Sequence, residues 1–367
     1  MMSMLPRLKA GLLALLLACP VLPALAADYA EQPYFAEKVA RKELPPVSER
    51  VPRTPYVSEQ ASGQYGGDIV TLVARARDIR YISTYAYSRL VGYDRDLELR
   101  PDILEKYEDE DDRVFTFTIR EGHRWSDGHP FTAEDFRYYW EDIALNKDLS
   151  PAGVPEFMMV GGKPAKFEVL DERTVRYTFD KPNPRFLPYL AGPVDPAIYR
   201  PAHYLKQFHA KYADKAKLDE AAKAQKLKSW AALHNRMDDM KEHTNPDEPV
   251  LQAWRVTNRA PANRFVFERN PYYHRVDTHG HQLPYVDRII MDVSSGGLFA
   301  AKANAGEVDL LFRGISMSDI PILKQGEKAH DYTTLLWPYA RGSELALYPD
   351  LNAKDPVWRA LNRDVRY

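Results

Sequence analysis

The stretch YYHRVDTHGHQLPYVD, residues 272–287, sets His274, His279 and His281 beside Asp277 and Asp287. Imidazoles and carboxylates at this spacing are metal ligands, and three of them around an open position would support metal-assisted hydrolysis. Catalytic zinc needs its ligands on rigid elements. Here His274 follows an expected strand end, and His279 and His281 flank Gly280 in a turn. The expectation is therefore a proline-anchored surface turn with solvated or hydrogen-bonded histidines, and no metal or cofactor. An exported metal-dependent hydrolase using His274, His279 and His281 is the rival from a different class. GHRWSDGH places Ser126, Asp127, His123 and His129 close in sequence, as a nucleophile set would be. A triad is recognised by spatial geometry, and this set lies at a strand-to-helix junction without a nucleophile elbow. No catalytic residue is assigned. YEDEDDR, residues 107–113, lacks the glycine and spaced ligands of a calcium loop and reads as a solvated acidic turn.

The elements that must position these residues follow from periodicity. In GGDIVTLVARA, Ile69, Val70, Leu72 and Val73 form an apolar run suited to a buried strand. STYAYSRLVGYD reads as a helix presenting Tyr85, Leu90 and Val91 inward. RVFTFTIREG alternates Phe115, Phe117 and Ile119 with Thr116 and Thr118, a half-buried strand. A turn at Asp127-Gly128 leads to a helix capped by Thr132, with Glu134 and Asp135 in its first turn and Phe136, Tyr139, Trp140 and Ile143 on its core face. FEVLDERTVRYTFD is a hairpin bending at Asp171–Arg173. Residues 204–243 are expected to be helical, burying Leu218, Leu227, Trp230, Leu233 and Met237. RFVFERN and VDRIIMDV are strands. LFAAKANAGEVDLLF is a helix closed by Gly306, then a strand through Val308, Leu310 and Leu311. Strands and helices alternate without a repeat period, so the fold class is α/β with an added β-rich portion.

The amino terminus bears on the compartment. Arg7 and Lys9 precede the apolar run GLLALLLAC, and Ala24-Leu25-Ala26 offers a cleavage site, so residues 1–26 read as a secretory signal peptide. Cys19 is the only cysteine, in a stretch similar to a lipoprotein box, but the apolar PVLPALA that follows favours cleavage after Ala26. A chain processed there has no thiol, disulfide or thiolate metal site. The net charge of −2 and well-mixed charges give no basic stripe for nucleic acid. Residues 27–65, rich in Pro, Glu and Arg, read as an extended leader over the surface or partly disordered. DPVWRALNRDVRY spaces Trp358, Leu361 and Val365 as a helix face with nothing to pack against, and the chain reads as cut short.

Several blocks resemble a known family. VFTFTIREGHRWSDGHPFTAEDFRYYW, LVGYDRDLELRPDILEKYE, FERNPYYHRVDTHGHQLPYVDRIIM, AGEVDLLF and DPVWRALNRDVRY are similar, in unbroken order, to segments of bacterial extracellular solute-binding proteins of the peptide, dipeptide and nickel group, family 5. The resemblance implies the binding component of an ATP-binding-cassette importer: periplasmic, monomeric, not an enzyme, and working with permease subunits in the inner membrane. It implies a type II (cluster C) periplasmic-binding-protein-like lobe I over residues 66–344 with an inserted β-rich subdomain, lobe II being largely absent. Residues 345–367 would be the hinge exit and the start of lobe II. A lobe standing alone would expose its cleft face and leave its sheet short of a strand. Ligand and hinge motion would be coupled, because both lobes contact the ligand when closed. The ligand would be a peptide or similar polar organic solute, with an oligosaccharide or nickel chelate as rivals on the same fold. The resemblance places the cleft at the first strand's end, here Ala74, Arg75, Ala76, Arg77, Asp78 and Tyr81, with Arg341, Gly342 and Ser343 on the hinge strand as further candidates. Arg75 or Arg77 would meet a ligand carboxylate, or else pair with Asp78 or a surface acid. Trp254 and Trp337 are expected in the core, with stacking on a ligand as the alternative.

Overall fold

Alternation builds the first sheet. A computed structural model describes residues 29–59, 63–194, 197–337 and 348–364. In it the Val114–Ile119 strand buries Phe115, Phe117 and Ile119 completely. It pairs antiparallel with Leu104–Glu110 on one side and Thr174–Thr178 on the other, and the latter pairs with Lys166–Val169. The acidic turn between the first two strands is exposed, with Asp111 and Asp112 at positive φ, where Asp is one of the residues least penalised. Phe115 and Phe117 pack with Tyr177 and Phe186 through ring contacts of 5.0 to 6.0 Å.

The helix after Thr132 begins with a reciprocal cap between Thr132 and Asp135. It runs as Ala133–Arg137 and then widens into π-helical turns over Tyr138–Ala144. The expected single buried stripe is thereby exceeded: Tyr138, Tyr139 and Trp140 are all buried. The cause is packing on two sides. Trp140 meets Tyr177 of the sheet at 5.9 Å, while the Tyr138 hydroxyl lies 2.7 Å from Nε2 of His234 in a helical layer. That layer comprises Lys215–Ala224 and Trp230–Met237, and Leu218, Trp230 and Leu233 are buried as expected.

The second sheet is mixed. Its order is Trp254–Val256, Arg264–Arg269, Arg288–Val293, Asp68–Val73, with only the last pair parallel. Trp254 packs in its core as expected, but Trp337 is exposed. Three other expectations fail for identifiable reasons. Val308–Leu311 forms no ladder, because its bonds converge on Val70: the Asp309 carboxylate accepts the Val70 N–H at 2.7 Å, and the N–H groups of Asp309 and Leu310 both donate to the Val70 carbonyl, at 2.9 and 3.4 Å. The helix expected through Leu90 and Val91 stops after Ile82–Ala86, where Tyr87 turns left-handed, and Val91 begins a short strand, Val91–Tyr93. Leader residues 29–59 are built into the body: Phe35, Val47, Arg50 and Val51 are buried, and Tyr56–Ser58 pairs parallel with Arg275–Asp277. Arg50 explains part of this, since its buried guanidinium reaches Glu31 at 2.5 Å and faces the Phe35 ring at 5.1 Å. The expected signal peptide lies outside the described residues, as do Arg341, Gly342 and Ser343.

Candidate ligand-binding face

The parallel pair ends at Val73, whose carbonyl accepts the Ser294 N–H at 3.0 Å. Ala74 and Arg75 continue the chain exposed, and a 3₁₀ turn over Ala76–Tyr81 is anchored by fully buried Ile79. This geometry brings the candidate residues 74–78 and Tyr81 together at one sheet end. Arg75 and Arg77 are exposed, and among the described residues neither makes an ion pair. Pairing with Asp78, the competing expectation, is not what the structure shows. Their neighbour Arg80 is engaged, 3.6 Å from Glu242.

Side chains the sequence reading missed complete the face. The Arg313 guanidinium lies 3.8 Å from the Tyr81 ring centroid, a close cation–π contact. Phe312 meets Tyr85 edge-on at 5.2 Å, and the Tyr85 hydroxyl lies 3.2 Å from Thr71 Oγ1. Burial raises the Tyr85 pKa, with the Thr71 bond opposing, so the phenol stays neutral. The signal for Phe312 and Arg313 was the failed strand: the bonds from Asp309 to Val70 carry the following residues across the end of the sheet. These residues enclose only about 10 Å³, room for about one water, so a ligand would lie across the face. A larger cleft of about 370 Å³ is lined by Arg120, Arg124, His123 and Arg173. There the charges are already committed. Arg120 donates to the carbonyls of Asp102 and Thr54, Arg124 to that of Gly128, and Arg173 to Glu105 and the Ile119 carbonyl.

The histidine set is split. His274 is fully buried rather than solvated, its Nε2 2.8 Å from Asp102 Oδ1. Burial pushes its pKa down to about 4, with Asp102 opposing, so the ring is neutral at pH 7. His279 and His281 do lie in a turn, and with Asp277 they form a separate cluster whose ligand atoms are within 4.8 Å of one another. The three-histidine hydrolase site is therefore not assembled. Nor is the serine set: Ser126 Oγ accepts the Val250 N–H at 3.0 Å, His129 stacks on His203 at 3.9 Å, and Asp127 lies 2.8 Å from His203 Nε2.

The blocks that carried the resemblance meet in space as supports. Asp102 accepts from Arg89 N at 2.9 Å and from two nitrogens of Arg275 at 2.9 and 2.6 Å, besides facing His274. Burial opposes its ionisation, yet Arg275 and His274 hold its carboxyl far below the usual range. Trp125 Nε1 donates to Asp135 at 3.2 Å, and Ser126 exchanges two bonds with Val250. Gly128 has φ +89°, and a Cβ there would fall 2.7 Å from the Tyr272 hydroxyl.

Residues 98–362 match the family described as bacterial extracellular solute-binding proteins, family 5 Middle. A periplasmic alpha-galactoside-binding protein of Rhizobium meliloti is 28% identical over 314 residues, covering 77% of this chain and 42% of its own. The periplasmic oligopeptide-binding protein OppA of Salmonella typhimurium is 27% identical, covering 72% and 45%. Among solved structures, an oligopeptide-binding protein OppA is similar with a TM-score of 0.80 at 31% identity, covering 93% of this chain and 54% of that one. MelB of Agrobacterium fabrum, in complex with stachyose, has a TM-score of 0.63 at 27% identity, covering 83% and 46%. The chain thus spans less than half the length of these two curated relatives. The mixed α/β fold is that of the periplasmic binding proteins, and the chain belongs to the bacterial extracellular solute-binding proteins of family 5.

Proposed function

We propose that the chain is the periplasmic substrate-binding component of an ATP-binding-cassette importer, capturing a peptide or similar polar organic solute and delivering it to the membrane permease. The observation that carries the ligand class is that Arg75 and Arg77, in the segment leading into Tyr81, are exposed and make no ion pair among the described residues. Two exposed guanidiniums suit a ligand carboxylate, to which arginine binds in bidentate fashion. The work is capture and release, with no bond made or broken. Residues 66–344 act as one lobe carrying an inserted subdomain, and 345–367 lead toward a second. Leu335, Leu336, Trp337, Tyr348 and Trp358, all large apolar side chains left exposed in this part of the chain, support that division.

An α-galactoside is the second reading, favoured by the named ligands of two similar proteins. Aromatic faces serve sugar rings as well as peptides. Native mass spectrometry of protein purified without refolding identifies any carried solute. Calorimetry then compares a short-peptide mixture with an α-galactoside on wild type and on an Arg75→Ala/Arg77→Ala double variant. Peptide binding weakened at least tenfold in the variant supports the first reading. Galactoside binding indifferent to the arginines establishes the second. Binding of neither class overturns both.

A further inference from the structure

We propose that Asp277, His279 and His281 form a binding site for a borderline divalent cation, zinc or nickel in chemical class, separate from the ligand-binding face. The sequence-based objection was that a short loop fixes geometry poorly. The structure removes it. Asp277 ends a strand paired with Tyr56–Ser58, and its N–H donates to the His281 carbonyl at 2.9 Å. Gly280, at φ +81°, donates back to the Asp277 carbonyl at 3.2 Å and closes the turn. Asp277 Oδ1 accepts the N–H groups of His279 and His281 at 2.8 and 2.9 Å, and Tyr285 donates to Oδ2 at 2.6 Å. The carboxylate is thus buried and fixed from four directions, the fourth being His281 itself.

The ligand atoms are already gathered. One donor atom from each residue lies within 4.8 Å of the others, and the two imidazoles face each other at 6.1 Å with their planes 29° apart. Asp277 Oδ2 and His281 Nδ1 are 2.9 Å apart, a separation they share through one proton. A metal taking that proton's place, with bonds of about 2.0–2.1 Å in tetrahedral geometry, needs the pair to open only to about 3.3 Å. His279 is exposed, and its ring nitrogen Nδ1 lies 3.4 Å from the Thr278 hydroxyl, so the ring is able to turn inward as third ligand. Water completes the shell. Two imidazoles and one carboxylate select zinc, nickel or copper over calcium and magnesium, which take oxygen cages. Tyr285 and the two backbone N–H groups are the outer partners that orient the carboxylate. An ion here would clamp the turn against the amino-terminal segment, since Ala30 bridges His281 and Ser58 pairs with Asp277.

The test is calorimetric titration of the full, tag-free chain with zinc chloride and nickel chloride, with magnesium chloride as control. The expected result is saturable binding of one zinc or nickel per chain, a raised melting temperature, and no response to magnesium. His279→Ala, at an exposed position where folding is spared, should weaken zinc binding at least tenfold, and His279→Ala/His281→Ala should abolish it. Circular dichroism verifies that both variants are folded. Absence of saturable zinc or nickel binding overturns the proposal, and so does binding that persists unchanged in the folded double variant.

Discussion

Asp102 shows how much one carboxylate holds together. It is the meeting point of Arg275, His274 and the Arg89 backbone, and these belong to segments far apart in the chain. Removing it strands a charge on Arg275 and leaves the buried His274 ring without its partner. Asp102→Ala should therefore destabilise by about 3–5 kcal/mol, the usual cost of breaking a buried pair from one side. Chemical denaturation measures it. The opposite is expected at Arg75 and Arg77, which are exposed and make no ion pair among the described residues. Arg75→Ala should leave the unfolding midpoint within about 0.5 kcal/mol of wild type. Any loss of ligand affinity then reports contact and not folding. Asp102 was legible only as part of a motif, and its side-chain partners His274 and Arg275 were invisible because they lie 172 and 173 residues away.

At the scale of elements, the helix after Thr132 depends on a buried cap. Asp135 accepts from Thr132 N, Ala202 N and Trp125 Nε1 at 2.9, 3.0 and 3.2 Å, so it starts the helix and anchors two neighbouring segments. Asp135→Ala orphans three donors and should cost about 1–3 kcal/mol or more, beyond the cost of an ordinary exposed cap. Asp135→Glu is no rescue, because the longer side chain has no room in a site this buried. The cap was readable from the Thr-Ala-Glu-Asp pattern and the strand from its alternation. The π-helical continuation was not, since its cause is a sheet on one side and a helical layer on the other. The absent strand at Val308–Leu311 teaches the same point: its residue types suit a strand, but one aspartate satisfies the edge first.

Across the whole molecule, buried imidazoles couple folding to pH. Burial brings the pKa of His274, His234 and His243 down to about 4, Asp102 opposing at His274, Asp238 opposing at His234 and Arg89 adding at His243. A histidine with a folded pKa below its free value of 6.5 is neutral in the fold, and acid favours the unfolded chain that takes the proton first. Its contribution is whole above about pH 6.5 and is lost as pH falls toward 4, on the order of 3 kcal/mol per ring. Asp135, raised by burial to about 6 despite its hydrogen bonds, works in the other direction and gains as pH falls. The variant separates them. His243 sits at φ +56°, a conformation Asn tolerates, so His243→Asn should keep the fold and flatten the fall of melting temperature between pH 6.5 and 4.5. An unchanged slope would show that His243 is not among the groups that take up protons on acid unfolding.

The sequence alone determined the buried strands around Phe117 and Ile289, the capped helix at Thr132 and the helical character around Trp230, because each is a local consequence of residue type and spacing against one apolar face; the break into two helices there came only with the fold. The order of motif blocks determined the family. Tertiary structure decided what spacing cannot encode: that His274 leaves its neighbours for Asp102, that the leader is part of the core, and that Arg313 reaches Tyr81. Each of these is a contact between residues distant in sequence, and only the closing of the chain brings such groups within range of one another.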